Sequence, residues 1–179
     1  MDRKMLTKTR QAALSILFFC VICVAVSGCL SDKGYSNESL YSDEVCSVYV
    51  EMFENSTFRR GIEYELTDAL AKRIESQTPY KIISDRDAAD TLMTGQLVSM
   101  GQSVANLDKK TGRALEKKVE LTAIVSWKNL KTGELILDRM RVVGSADYSV
   151  WQNQSVEYAA TVAANTLAER IVELMEVEW

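Results

Sequence analysis

Between residues 119 and 127 the chain alternates. Val119, Leu121, Ala123, Val125 and Trp127 are apolar, Glu120, Thr122, Ser126 and then Lys128 are polar, and Ile124 alone breaks the polar set. A period of two predicts a strand with one face buried and one face wet. Asn129, Leu130, Lys131, Thr132, Gly133 and Glu134 follow, a polar stretch with a glycine near its end, as a hairpin turn requires. Residues 135–148 then return as the partner strand. Upstream, residues 91–103 read as a third long strand, with Gly95 or Gly101 as the expected bend. Three hairpin-connected strands dictate an antiparallel sheet, and its apolar face needs a cover.

Two amphipathic helices supply that cover. Ile62, Leu66, Ala69, Leu70 and Ile74 recur at helical spacing, with Glu63, Glu65, Asp68, Lys72 and Glu75 mostly on the wet side. Asn55, Ser56 and Thr57 offer capping chemistry before this helix, and Pro79, the only proline, marks its end. Val156, Ala160, Ala163, Leu167, Ile171 and Leu174 form one face of a C-terminal helix, and Ala159, Ala164 and Ala168 raise its helix propensity. Residues 45–50 are β-branched and aromatic and read as a first strand, and residues 80–83 as a short extended piece. The expected fold is α+β: a two-layer sandwich in the order β-α-β-β-β-α, two helices on one face of a mainly antiparallel four-stranded sheet.

The first 28 residues stand outside this fold. Lys4, Lys8 and Arg10 precede an apolar run over residues 12–26 interrupted only by Ser15, too short to span a bilayer comfortably. Val26, Ser27, Gly28 and Cys29 close it, a string that resembles the lipobox of bacterial lipoproteins. The resemblance implies cleavage before Cys29 and lipidation of its thiol and new amino terminus, and a protein with three acyl chains stays on its membrane. Leu30, where Asp would favour inner-membrane retention in enteric bacteria, points to the outer membrane. The expected organisation is a removed signal peptide over residues 1–28, a lipidated Cys29 with a polar tether through residue 43, and a single domain over residues 44–179.

Composition narrows the function. Without Asp2, Arg3, Lys4, Lys8 and Arg10, the 21 basic and 25 acidic side chains become 17 and 24, a net charge of −7. That acidity argues against a nucleic-acid partner. The chain has no histidine, which removes the commonest metal ligand and the usual acid/base at neutral pH, and makes a Ser-His-Asp triad impossible. Neither an enzymatic activity nor a cofactor is expected. Cys20 and Cys23 leave with the leader, so Cys46, within an apolar run, is expected as a small buried core residue.

A second resemblance rests on residues 48–61. A strand leads into Phe53, Glu54 and Asn55, then Thr57, Phe58 and Arg59, then Gly61 before the helix carrying Glu63, Leu66, Thr67, Ala69 and Leu70. Together with Ala89, Asp90, Leu92 and Gly95 at the start of the second long strand, this resembles the LptE family of lipopolysaccharide-assembly lipoproteins. The resemblance implies two helices on a four-stranded sheet and a non-enzymatic role. It implies a protein that plugs the LptD β-barrel, helps it fold, and binds lipopolysaccharide at the outer membrane. The Val-x-x-Phe-x-Asn string also occurs in TolB-like, CsgG-like and LpoB-like envelope proteins, which makes a regulator of a peptidoglycan enzyme or secretion pore the alternative.

Lys109, Lys110, Arg113, Lys117 and Lys118 cluster around one hairpin, against Asp108 and Glu116. On their own they read as a solvated turn that blunts a sheet edge. A polyanionic lipopolysaccharide gives them a second use, as phosphate contacts. Arg59 and Arg60 lie beside a helix N-terminus, where cations are disfavoured, and ion pairs to Glu63 or Asp68 are expected. Asp85, Asp87 and Asp90, with Arg86, lack EF-hand spacing and read as a polar loop. Trp127 belongs to the buried strand face, and Trp151, near Tyr148, reads as core or as a partly exposed partner contact.

Overall fold

The structure, a computed structural model, describes residues 40–42 and 44–176; the leader, Cys29 and Trp179 lie outside the described residues. In chain order come β1 (Ser47–Val50), β2 (Glu54–Asn55), α1 (Ile62–Gln77), β3 (Lys81–Ile82), a 3₁₀ turn (Arg86–Ala88), β4 (Thr91–Leu107), β5 (Ala114–Asn129), β6 (Leu135–Ser149) and α2 (Val156–Glu173).

The α+β class and the two helices are as expected. The sheet has six strands and is mixed, where four mainly antiparallel strands were expected. Its order is β3-β1-β4-β5-β6, with β2 also paired to β4. The β4-β5-β6 meander is antiparallel, whereas β1 pairs in parallel with both β3 and β4. The physical reason is the connection: a helix between two strands returns the chain to its starting end, so the next strand runs parallel. Strands β2 and β3 are two residues each, too short to display any period.

Each helix ends as its residues dictate. Ser155 caps α2 by accepting a hydrogen bond from the Tyr158 N–H at 3.2 Å. Thr78 closes α1, its hydroxyl donating to the Ile74 carbonyl at 2.6 Å, and Pro79 prevents continuation. The β5–β6 turn is held by the Asn129 side-chain oxygen, which accepts from the Lys131 and Thr132 N–H groups, with Gly133 at φ 78°.

The core lies between the helices and one sheet face. Leu66, Leu70 and Ile74 of α1 meet Met93, Leu97, Leu121, Val125 and Trp127 of the sheet, and Leu167 and Ile171 of α2. All of α2's alanines at positions 159, 160, 163, 164 and 168 are buried. Their small side chains let α2 approach both α1 and the sheet.

The register irregularities of β4 do not fall at its glycines. Register shifts fall between Leu97 and Ser99 and again near Asn106. Gly95 has another task. Val50 faces Met93 while Glu54 faces Gln96, so the strand passing from β1 to β2 carries one extra residue, and the buried Phe53 ring lies over Gly95. A Cβ at Gly95 would sit 2.1 Å from Phe53 Cε1. Gly95→Ala is therefore expected to cost about 2 kcal/mol by overpacking. Urea unfolding checks this, and Phe53→Leu in the Gly95→Ala background should recover part of the loss.

Candidate functional site

Beyond the helices the β4–β5 hairpin continues as an arm. Residues 101–107 of β4 are exposed, so both faces of this stretch meet solvent. Its turn is built on Asp108. The Asp108 carboxylate accepts from the Lys110 N–H at 2.8 Å and the Thr111 hydroxyl at 2.9 Å. The Asp108 carbonyl accepts from the Gly112 N–H, and the Asp108 N–H donates to the Arg113 carbonyl. Gly112, at φ 66°, supplies the left-handed residue that the turn needs. The N–H of Lys110 and the hydroxyl of Thr111 hold the Asp108 carboxyl below its usual range.

Asp108 is engaged by its own turn and forms no ion pair with the cations around it among the described residues. Lys109, Lys110 and Arg113 are exposed at the tip, with no ion pair among the described residues. Lys117 and Lys118 are adjacent on β5 and so point to opposite faces. Lys118 lies 3.8 Å from Asp147 on β6, and Lys117 sits opposite Tyr148 and Val104. The five cations named from the sequence thus resolve into three at the tip and one on each face of the arm.

The Phe53–Gly61 segment is a structural corner. The Asn55 amide donates to the Arg59 carbonyl and to Glu63 Oε2, both at 2.6 Å, and its oxygen accepts from the Thr57 N–H and hydroxyl. Asn55 organises the loop; the residue at the helix cap is Gly61, at φ 98°. Partial burial raises the Glu63 pKa, but hydrogen bonds from the Glu63 and Gly61 N–H groups and the Asn55 amide, with the Arg60 charge, outweigh it and leave the carboxyl below its usual range. Arg59 pairs with Glu157 at 2.7 Å, not with Glu63 or Asp68, because the corner packs beside the first turn of α2. Asp68 pairs with Lys72 along its own helix. Phe58 is fully exposed.

Asp85 caps the 3₁₀ turn, accepting from the Asp87 N–H. Asp90 is a junction. Its Oδ2 accepts from the Cys46 and Ser47 N–H groups at 3.1 and 3.0 Å and from the Ser47 hydroxyl at 2.9 Å, and its Oδ1 lies 2.6 Å from Lys131 Nζ. The carboxylate is spent on binding β1, β4 and the β5–β6 turn together. Cys46 is exposed rather than in the core: Val45 and Ser47 point inward on either side of it. Trp127 is buried as expected and Trp151 is exposed.

One feature gave no sequence signal. At the opposite end of β5 from the arm, Tyr41 meets Tyr80 edge-on and Tyr80 meets Trp127 at a tilt, with ring centroids 5.7 and 5.8 Å apart. The Ser42 N–H donates to the Tyr80 hydroxyl at 3.1 Å. Tyr41 is thus packed against the core.

The sequence matches the model of the LptE family, described as lipopolysaccharide-assembly, over residues 46–175. No curated protein matches it significantly. Among solved structures it is similar to the PelC dodecamer of Paraburkholderia phytofirmans, at 11% identity over 76% of this chain and 93% of that one, with a TM-score of 0.46. It is also similar to the rare lipoprotein B of Shewanella oneidensis, at 20% identity over 72% and 92%, with a TM-score of 0.46. Lipoprotein GNA1162 of Neisseria meningitidis is similar at 11% identity over 72% and 99%, with a TM-score of 0.43.

Proposed function

The chain belongs to the LptE family of lipopolysaccharide-assembly proteins, and from that premise we propose that it is an outer-membrane lipoprotein that plugs an LptD-like β-barrel and binds lipopolysaccharide there. The family match across nearly the whole domain is the observation that carries the reading. Lipid on Cys29 anchors the protein, and the leader over residues 1–28 is removed. The tether over residues 30–43 spans at most about 50 Å when extended. That length keeps the domain beside its own membrane, as a plug at a barrel's periplasmic mouth requires. A domain of polar surface suits a water-lined lumen. The role is non-catalytic.

In this reading Lys109, Lys110 and Arg113 meet the phosphates, with Lys117 and Lys118 flanking them. Free cations on a projecting arm lose little on binding, since they surrender no internal ion pair. The variant Lys109→Glu/Lys110→Glu/Arg113→Glu is expected to bind lipopolysaccharide about tenfold or more weakly, with a shallower salt dependence. Its unfolding free energy should stay within about 0.5 kcal/mol of the parent, because no packing is touched. Lipopolysaccharide titration at two salt concentrations, with a denaturation curve for each protein, checks both. Unchanged affinity in the folded variant removes the arm from the site.

A further inference from the structure

Strand β6 ends the sheet order, so along its outer side alternate backbone N–H and C=O groups face no described strand. Natural sheets normally blunt such an edge, and here two irregularities do so. At Arg139, φ is 48°, its N–H donates to the Ser126 hydroxyl, and the β5–β6 register shifts, so the strand is kinked there. Before the kink the register shifts a second time, since Leu137 pairs with Trp127 but Leu135 with Lys128, so Ile136 is bulged. Leu135 and Ile136 are 49% and 42% exposed, and Met140 just past the kink is 42% exposed.

These side chains open onto a groove of about 660 Å³, floored by Tyr80, Trp127, Leu137, Leu174 and Met175. The Trp127 indole N–H, buried in that floor, has no hydrogen-bond partner among the described residues. Glu44, Glu134, Glu173 and Glu176 line the groove with no lysine or arginine among them. All four are exposed. Four carboxylates repel a phosphorylated lipid, so this end of the molecule is unsuited to the ligand proposed for the arm. They attract a chain that carries positive charge beside apolar side chains.

We propose that the groove beside Leu135–Asp138 accepts an extended segment of a partner protein in which apolar residues alternate with lysine or arginine. The apolar side chains of the segment enter the groove, and its cations meet the glutamates. This surface lies at the other end of β5 from the basic tip, about 50 Å of extended strand away. It does not depend on which protein supplies the segment, so failure to find a barrel partner leaves it standing.

The test is an amide chemical-shift titration of the isotope-labelled protein with a ten-residue peptide of alternating lysine and valine, and with its glutamate–valine counterpart. Saturable shifts confined to residues 135–138 and the Trp127 indole, absent with the acidic peptide and weakened about tenfold by high salt, are expected. The variant Glu134→Lys/Glu173→Lys/Glu176→Lys, altered only at exposed positions, should lose at least about tenfold in affinity while keeping the parent spectrum elsewhere. Equal binding of both peptides, or no response at 135–138, overturns the proposal. So do shifts that follow protein concentration without peptide, which would show a second copy on the edge. Shifts that appear on deleting residues 177–179 would show the chain's own end in the groove and overturn it as well.

Discussion

Gly144→Val should unfold the protein at a temperature lower by about 10 °C or more. Gly144 lies on β6 opposite Leu121, under α2. A Cβ there would stand 2.5 Å from the Ala163 carbonyl oxygen and 2.6 Å from both Leu167 N and Leu167 Cβ. Two of these three atoms are helix backbone, so no rotamer change relieves the clash; α2 itself must lift. Lifting it uncovers the face formed by Ala159, Ala160, Ala163, Ala164, Leu167 and Ala168, the same residues that pack against α1 and the sheet. Overpacking of this kind costs about 3 kcal/mol or more, and a domain of this size loses roughly 2–4 °C per kcal/mol. Gly101→Ala is the control: a Cβ there would meet nothing within 4 Å, and the melting temperature should be almost unchanged. Circular dichroism on heating reads both.

Asp90→Ala should cost about 3 kcal/mol at neutral pH, and the penalty should vanish in acid. The carboxylate holds three donors of Cys46 and Ser47 at the start of β1 and one lysine on the β5–β6 turn, and charge-assisted bonds to a partly buried group are the strong kind. Its removal leaves the Cys46 and Ser47 N–H groups without that acceptor. The Lys131 ammonium first, then the Ser47 hydroxyl and the Cys46 N–H, hold the Asp90 pKa at about 2, below its ordinary 3.8. A depressed folded-state pKa means that the unfolded chain binds the proton more readily. The stabilisation is therefore complete above about pH 4, declines as pH falls, and is gone once pH passes below about 2. Parent and variant should differ at pH 7 and converge near pH 2. Urea denaturation across that range checks the sign; a gap that persists in acid would assign the effect to packing.

How much of this was legible follows from the length of each signal. The five buried positions of α1 and the alternating face of β5 were readable because a periodic pattern lasted several turns or pleats. The Asn129–Glu134 turn was readable from its own residues. The parallel edge was not, since β1, β2 and β3 have four, two and two residues and their pairing depends on the crossover through α1. The burial of Ala159, Ala164 and Ala168 was hidden because alanine suits a wet helix face as well as a dry one; here α2 is covered by both α1 and the sheet. Cys46 was misplaced by one step of strand phase, which turns a side chain to the other face. Arg59 was misplaced because its partner, Glu157, is 98 residues away.

The cation cluster was legible as a composition but not as a shape. Sequence proximity put Lys109, Lys110, Arg113, Lys117 and Lys118 together, while strand alternation separates the last two and the first three form no ion pair among the described residues. The acidic groove had no sequence signal at all, since Glu44, Glu134, Glu173 and Glu176 come from three distant parts of the chain.

The most direct test of the plug reading is a crosslinking purification of the protein from native outer membranes, with partners identified by mass spectrometry and their ratio measured. The account predicts one large outer-membrane β-barrel of the LptD kind, recovered one to one. Recovery of a peptidoglycan synthase or a secretion component with no barrel would contradict it.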